Sequence, residues 1–302
     1  MSDLLVCEVG PRDGLQNAKH LMPTAAKKRW IDALAAAGLR EIEVGSFVPP
    51  RLIPAMADTA EIVAHARTLT GVKVVALAPN LKGFERAVAA GAHKITFPVS
   101  ASRLHSEANV RMTPEQMLEE VRKCAALRGA GGPEIEGAVS TAFGCTLQGE
   151  VPEDEVVRLA VALARCCDAV ALADTVGYAN PAQVKRVFRR VRGEIGDKLE
   201  GAHFHNTRGL GLANALAAWE EGVRAFDASM GGLGGCPFAP GASGNVITED
   251  LVYMFEAMGV RTGIDLEKLF AARAVLIEGL PEEPVYGHAA LAGLPKGFRA
   301  AA

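Results

Sequence analysis

Ala36-Ala37-Gly38-Leu39-Arg40-Glu41-Ile42-Glu43-Val44-Gly45-Ser46-Phe47 reads as a helix end running into a strand. The alanines close a pattern in which Trp30, Leu34 and Ala37 share one helical face at i, i+4 and i+7. Gly38 stands where a helix stops in a left-handed cap before the chain turns back. The junction recurs. Ala89-Ala90-Gly91-Ala92 precedes a strand-like run at Lys94, and Glu220-Glu221-Gly222-Val223 precedes one at Arg224. Apolar runs of strand length occupy residues 4–9, 41–47, 72–78, 94–99, 135–141, 169–174, 199–205 and 224–229, with helical patterns between them. Thr24 and Thr113 are candidate helix N-caps, and Pro114 suits a first helical position. Eight strand–helix units in 302 residues predict an α/β fold, a single (β/α)8 TIM barrel. The alternative, a doubly wound open sheet, loses ground because no Gly-x-Gly-x-x-Gly follows the first strand.

Two helical patterns follow the eighth strand. One covers residues 248–258. The other starts near Ile264, with Leu266, Leu269, Phe270, Ala274 and Ile277 along it. We read the first as the last barrel helix and the second as a C-terminal helical cap. The chain is thus divided into a catalytic barrel over 1–260 and a cap and tail over 261–302, with the Pro/Gly-rich tail from Pro281 expected to be partly loose.

Composition excludes several functions. Hydrophobic residues make up 49% of the chain, enough for a large core, so disorder is not expected. A formal net charge of -3 without a long basic run, and an aromatic content of 5%, argue against a nucleic-acid partner. No apolar stretch reaches about 18 residues, so no membrane span is expected. The N-terminal residues lack a basic segment followed by an apolar one, and we expect a cytoplasmic protein with no signal peptide. In that setting the six cysteines read as thiols rather than disulfides. No Cys-x-x-Cys pair occurs, which removes the usual structural zinc site.

Barrel enzymes carry their chemistry at the C-terminal ends of the strands. There the sequence places Arg12-Asp13 after strand one, Glu43 within strand two, Asp174 at the end of strand six and His203-Phe204-His205 on strand seven. Residues i and i+2 of a strand face the same way, about 6.5–7 Å apart, so both imidazoles can reach one metal. Spacing alone leaves open two unrelated histidines, one packed and one exposed. The place at a strand end favours a ligand pair. Strands seven, eight and one are neighbours in a closed barrel, so Asp13, His203, His205 and Asn245 can converge. Oxygen and nitrogen donors without thiolate suit Mg2+ or Mn2+, with Zn2+ less favoured. Glu43 and Asp174 are costly to bury without a partner. Arg12 is the candidate partner, and a structural ion pair is the plain alternative. The run Gly231-Gly232-Leu233-Gly234-Gly235-Cys236 reads either as a tight turn around a buried cysteine or as a loop that brings a thiol over the site.

These blocks, in this order, resemble the 3-hydroxy-3-methylglutaryl-CoA lyase family. Val9-Gly10-Pro11-Arg12-Asp13-Gly14-Leu15-Gln16-Asn17, Ile42-Glu43-Val44-Gly45-Ser46-Phe47-Val48, His203-x-His205, Gly231–Pro237 and Gly241-Ala242-Ser243-Gly244-Asn245 carry the resemblance over residues 6 to about 255. It implies divalent-metal-dependent cleavage of 3-hydroxy-3-methylglutaryl-CoA to acetoacetate and acetyl-CoA, a reaction of leucine degradation and ketone-body formation. It further implies Asp13, His203, His205 and Asn245 as metal ligands. Arg12 is implied at the acyl carbonyl and Cys236 on a catalytic loop, with Glu43, Asp174 and His203 in catalytic roles. The partner is an acyl-CoA thioester, and we expect a homodimer or higher homo-oligomer. One departure stands out: Asn206-Thr207-Arg208-Gly209 follows His205 where the family usually has Asp-Thr-Tyr-Gly. Arg208 could therefore lie near the substrate's free carboxylate or the CoA entrance and shift acyl preference, for example toward citramalyl-CoA. The plain reading of Arg208 is a solvent-facing residue at a helix start. A metal-dependent hydrolase is a further alternative, but amidohydrolase barrels place their His-x-His on the first strand. A barrel without catalysis is opposed by the complete set of site residues.

Overall fold

The structure is a computed structural model that describes residues 2–234 and 244–301. It begins with β1 (Leu5–Glu8), α1 (Thr24–Ala36), β2 (Glu41–Ser46), α2 (Thr59–Ala66), β3 (Lys73–Leu77) and α3 (Leu81–Ala90). It continues with β4 (Lys94–Ser100), α4 (Arg103–Val110), α5 (Pro114–Leu127), β5 (Glu134–Ser140), α6 (Glu153–Ala164), β6 (Ala169–Asp174) and α7 (Pro181–Ile195). The last part holds β7 (Leu199–Phe204), α8 (Gly211–Glu220), β8 (Ala225–Ala228), α9 (Thr248–Ala257), α10 (Leu266–Gly279) and α11 (His288–Ala292). The strands are parallel, and β8 pairs with β1 to close an eight-stranded barrel. The eight strands fall within one residue, at either end, of the runs expected from the sequence. The three junction glycines take the left-handed backbone that ends a helix, with φ of 105° at Gly38, 86° at Gly91 and 93° at Gly222.

Strand residues alternate in direction, and the two faces differ sharply in chemistry. One set, including Ile42, Val74, Ile95, Val170 and Phe226, packs into the shell shared with the helices. The other faces the barrel axis and sets charged side chains among apolar ones such as Val75, Ala171 and Ala173. Glu41, Glu43, Lys94, Glu136, His203 and Asp227 all line a cavity of about 930 Å³. Barrels of this class usually fill the axis with branched apolar side chains. Here the axis is an open, charged shaft. Toward its floor the Lys94 ammonium sits 3.0 Å from Glu41 Oε1 and 2.7 Å from Glu136 Oε2. That pairing offsets the cost of burying the three charges.

The helix starts divide in two. Thr113 caps α5, accepting from the Gln116 N–H while the Gln116 side chain accepts from the Thr113 N–H, and Pro114 is the first helical residue. Thr24 is not a cap. It is the first residue of α1, behind Pro23, and its hydroxyl donates to Asp58 Oδ2 across 2.8 Å. After β8, α9 takes the place of the last barrel helix and α10 lies along α1, with Leu269, Ala272 and Leu276 in the common core. The tail is tied down rather than loose. Tyr286 N–H donates to Gly231 O, and the Asp250 carboxylate accepts from the N–H groups of His288 and Ala289. Among the described residues no helix is long and apolar enough to cross a membrane.

Candidate active site

Each site residue follows from a strand end. After β1 the chain makes one wide, π-type helical turn over Gly10–Gly14 in which the N–H groups of Arg12 and Asp13 both point back to Val9 O. This turn directs the Arg12 and Asp13 side chains over the barrel mouth. Glu43 comes from β2, at a point where the register to β3 slips between Glu43 and Gly45. His203 lies on β7, and His205 follows it, bridged to Asn245 on the returning strand-eight loop.

The Asp13, His203 and His205 side chains bring candidate ligand atoms within 4.8 Å of one another. The rings of His203 and His205 lie 5.2 Å apart. Asp13 Oδ2 is 3.6 Å from His205 Nε2 and accepts from Asn245 Nδ2 at 2.7 Å. Asn245 Nδ2 also donates to Leu233 O at 3.0 Å, which turns the amide so that Oδ1, fully buried, has no partner among the described residues. His205 Nδ1 is likewise buried without a partner. A carboxylate and two imidazoles within reach of one another, with an unpartnered amide oxygen on the adjoining Asn245, form a donor set that fits a divalent cation, because unpaired buried polar atoms are costly unless a ligand satisfies them.

Arg12 ties this cluster to the wall. Its Nη1 donates to Asp13 Oδ1 at 2.6 Å and its Nε to Glu43 Oε2 at 2.6 Å, and Gln16 Nε2 adds a third contact to Asp13 Oδ1 at 2.8 Å. Nη2 makes no hydrogen bond among the described residues and is left to face the cavity. Burial raises the Asp13 pKa, but Arg12 and the two histidines outweigh it and hold the carboxyl well below the usual range. Burial dominates at Glu43 and pushes it up to about 7 against the pull of Arg12. Burial works against the His203 imidazolium, yet the hydrogen bond to Asp227 and its charge raise the pKa.

Two expectations are corrected. Arg12 does not pair with Asp174. At the end of β6 the Asp174 carboxylate accepts from the N–H groups of Tyr178 at 2.9 Å and Ala179 at 3.1 Å, so it holds the loop after β6 and does not line the cavity. Arg208 is not placed for a substrate carboxylate. Its guanidinium stacks over the Tyr178 ring at 4.5 Å and donates to Val176 O and Gly177 O at 3.2 and 3.0 Å, which braces the same loop. Cys236 lies outside the described residues. Five described cysteines are free thiols. Sequence reasoning passed over Asp227, which is 3.0 Å from His203 Nδ1. The signal existed: it is a carboxylate inside a barrel strand, the criterion that picked out Glu43.

Comparison with known proteins agrees with this geometry. The HMGL-like family model matches residues 3–276. The chain is 43% identical over 265 residues to the mitochondrial hydroxymethylglutaryl-CoA lyase of Gallus gallus, covering 87% of this chain and 89% of that one. An HMG-CoA lyase from Acinetobacter baumannii, solved with coenzyme A and 3-methylmalate, superposes with a TM-score of 0.91 at 43% identity, covering 98% of this chain and 97% of the other. The hydroxymethylglutaryl-CoA lyase of Pseudomonas aeruginosa gives 0.91 at 38% identity, with 96% and 97% covered.

Proposed function

The chain belongs to the HMGL-like family, and from that membership we propose that it cleaves 3-hydroxy-3-methylglutaryl-CoA to acetoacetate and acetyl-CoA with a divalent cation. The observation that carries the reading is the convergence of Asp13, His203 and His205 beside the orphaned Asn245 Oδ1, at the mouth of a cavity of about 930 Å³. These four residues would hold the cation, and the oxygen and nitrogen donors favour Mg2+ or Mn2+ over Zn2+. When bound, such an ion lowers the pKa of a hydroxyl placed against it.

The substrate's tertiary hydroxyl is one carbon removed from the carbon that bears the thioester carbonyl. Transfer of its proton to the Glu43 carboxylate, which lines the cavity and has Oε1 unpartnered among the described residues, lets the C2–C3 bond break. The hydroxyl carbon becomes the ketone of acetoacetate, and the bonding pair passes to an acetyl-CoA enolate. Arg12 is the residue for that enolate. Glu43 and Asp13 hold its guanidinium from two sides, which leaves Nη2 pre-aimed at an oxygen on which charge develops. Fixed donors of this kind accelerate such steps by roughly 10²–10³ because they need no reorganisation. The enolate carbon then takes a proton, and we assign the Cys236 thiol as the donor. Asp174 serves by keeping the loop after β6 in place. Arg51 and Arg111 also line the cavity and supply the positive charge that an anionic thioester needs at its mouth. A cytoplasmic location and a homodimeric or larger assembly complete the proposal.

The test is product analysis. The purified chain with Mg2+ or Mn2+ and 3-hydroxy-3-methylglutaryl-CoA should yield acetyl-CoA and acetoacetate in equal amounts, and Asp13→Ala should lose the activity with its fold retained. Free CoA as the product would indicate a thioester hydrolase and defeat the reading.

A further inference from the structure

Asp227 has no part in the mechanism above, yet its position is specific. It lies on β8 directly opposite His203 of β7 and opposite Cys7 of β1. Its Oδ2 is 3.0 Å from His203 Nδ1, and this is its only hydrogen bond among the described residues. The side chain is about one-third exposed to the shaft. The other carboxylates around the upper shaft are engaged elsewhere. Glu43 is on the Nε of Arg12, and Asp13 is on Arg12, Gln16 and Asn245. Among the described residues, Asp227 is the carboxylate on His203 Nδ1, which leaves Nε2 of that ring for the cluster.

Proton accounting fixes what this contact does. An ionised carboxylate only accepts hydrogen bonds. His203 Nδ1 must therefore carry the hydrogen, and the lone pair of the neutral ring sits on Nε2. His205 differs, because its Nδ1 has no partner among the described residues. His203 has its Nδ1 set by a carboxylate outside the cluster, whereas the described contact of His205 Nε2 is with Asp13, itself a candidate ligand. The charge matters as well. Arg12 lies on the same carboxylate that the cation would use, and its positive charge works against cation binding. Asp227 places a carboxylate behind His203, on the far side of the cluster from Arg12's contact with Asp13.

We propose that Asp227 is a positioning residue of the metal centre: it holds His203 as the Nδ1–H tautomer with Nε2 turned to the cation, and it offsets the charge of Arg12. This rests on the metal-centre reading given above. Carboxylate partners of metal-bound histidines are worth about 10–100-fold in metal affinity.

The experiment titrates Mn2+ into the metal-free full chain, following free Mn2+ by its EPR signal, with fold checked by circular dichroism and thermal melting. Asp227→Ala should raise the Mn2+ Kd by about 10–100-fold without loss of fold. Asp227→Asn keeps an acceptor oxygen but no charge and should raise it by about 3–10-fold, and it carries the test if the alanine variant does not fold. The decisive comparison is in a His203→Ala background. There the Asp227 substitution should lose most of its effect, since coupling through His203 disappears when that residue is removed and only the charge offset remains. A Kd within about twofold of the parent in both Asp227 variants overturns the proposal, as does a loss of equal size in the His203→Ala background. If His203→Ala weakens Mn2+ binding while the Asp227 variants do not, only this inference falls. If the parent binds no Mn2+, the metal centre falls with it.

Discussion

Glu8 offers a test of how the barrel mouth is built. It is wholly buried at the end of β1 and collects three donors: the N–H groups of Gly10 and Met230 on Oε1, each at 2.9 Å, and the Thr248 hydroxyl on Oε2 at 2.7 Å. It thereby joins the turn that carries Arg12 and Asp13, the loop after β8, and the start of α9. Burial pushes its pKa from 4.5 up to about 8; the three hydrogen bonds work the other way, and the nearby Glu249 adds to the rise. An acid whose pKa is raised on folding stabilises the protein fully below its unfolded pKa, and that contribution is lost as pH rises through the folded value. The window therefore runs from about pH 4.5 to about pH 8. At roughly 1.4 kcal/mol per unit, the loss between pH 5 and 8 is about 4 kcal/mol. That is a large share of the ~5–15 kcal/mol that separates folded from unfolded domains. Glu8→Gln imitates the neutral form, and its amide can donate to the Thr248 hydroxyl. Guanidinium denaturation of parent and variant across this range should show similar stability near pH 5, and near pH 9 a variant more stable by a few kcal/mol. Subtraction cancels the other titrating groups, Glu43 among them. A difference that stays constant with pH, or a variant that becomes the weaker protein in alkali, would refute the reasoning.

Two further outcomes follow from the site. Gly234 has φ +96°, and a Cβ there would fall 2.6 Å from Asn245 Nδ2 and 3.2 Å from Asp13 O, so Gly234→Ala should displace two candidate ligands without altering either. A Mn2+ Kd raised by about tenfold or more is expected, and an unchanged Kd would show that Asn245 does not matter to the metal. Arg208→Ala should cost about 1 kcal/mol of stability through the lost stack on Tyr178, seen as a lower denaturation midpoint. It should leave the preference between methylglutaryl and citramalyl thioesters unchanged, and a reversed preference would restore Arg208 as a specificity residue.

What the sequence showed and what it hid divide along one physical line. Features with a fixed local period were legible. Gly38, Gly91 and Gly222 end helices because each needs a left-handed backbone, and His203 and His205 share a face because a strand repeats every second residue. Adjacency of strands seven, eight and one in a closed barrel was enough to bring Asp13 and Asn245 to that pair. Contacts made by side-chain direction were not legible. Asp174 reads as a buried strand carboxylate, but as the last residue of β6 it turns to the N–H groups of Tyr178 and Ala179 instead of Arg12. Arg208 meets Tyr178 from a different loop, so no local pattern pairs them. The inward charges of Glu41, Lys94, Glu136 and Asp227 passed as polar interruptions in apolar runs. Glu41 is i, i+2 from Glu43, and Lys94, Glu136 and Asp227 take the same inward face on their own strands, so a count of charges by face would have found the charged axis. The tail misled for a related reason: proline and glycine content speaks to local stiffness, while the Asp250 carboxylate that anchors residues 288 and 289 is distant in sequence.

This barrel breaks a carbon–carbon bond in a methylglutaryl thioester. The most direct measurement is kcat/KM with saturating Mn2+ for 3-hydroxy-3-methylglutaryl-CoA and for citramalyl-CoA under identical conditions. A clear preference for the methylglutaryl substrate is expected, with acetoacetate and acetyl-CoA formed one to one. Negligible turnover of that substrate beside efficient release of pyruvate and acetyl-CoA from citramalyl-CoA would contradict it.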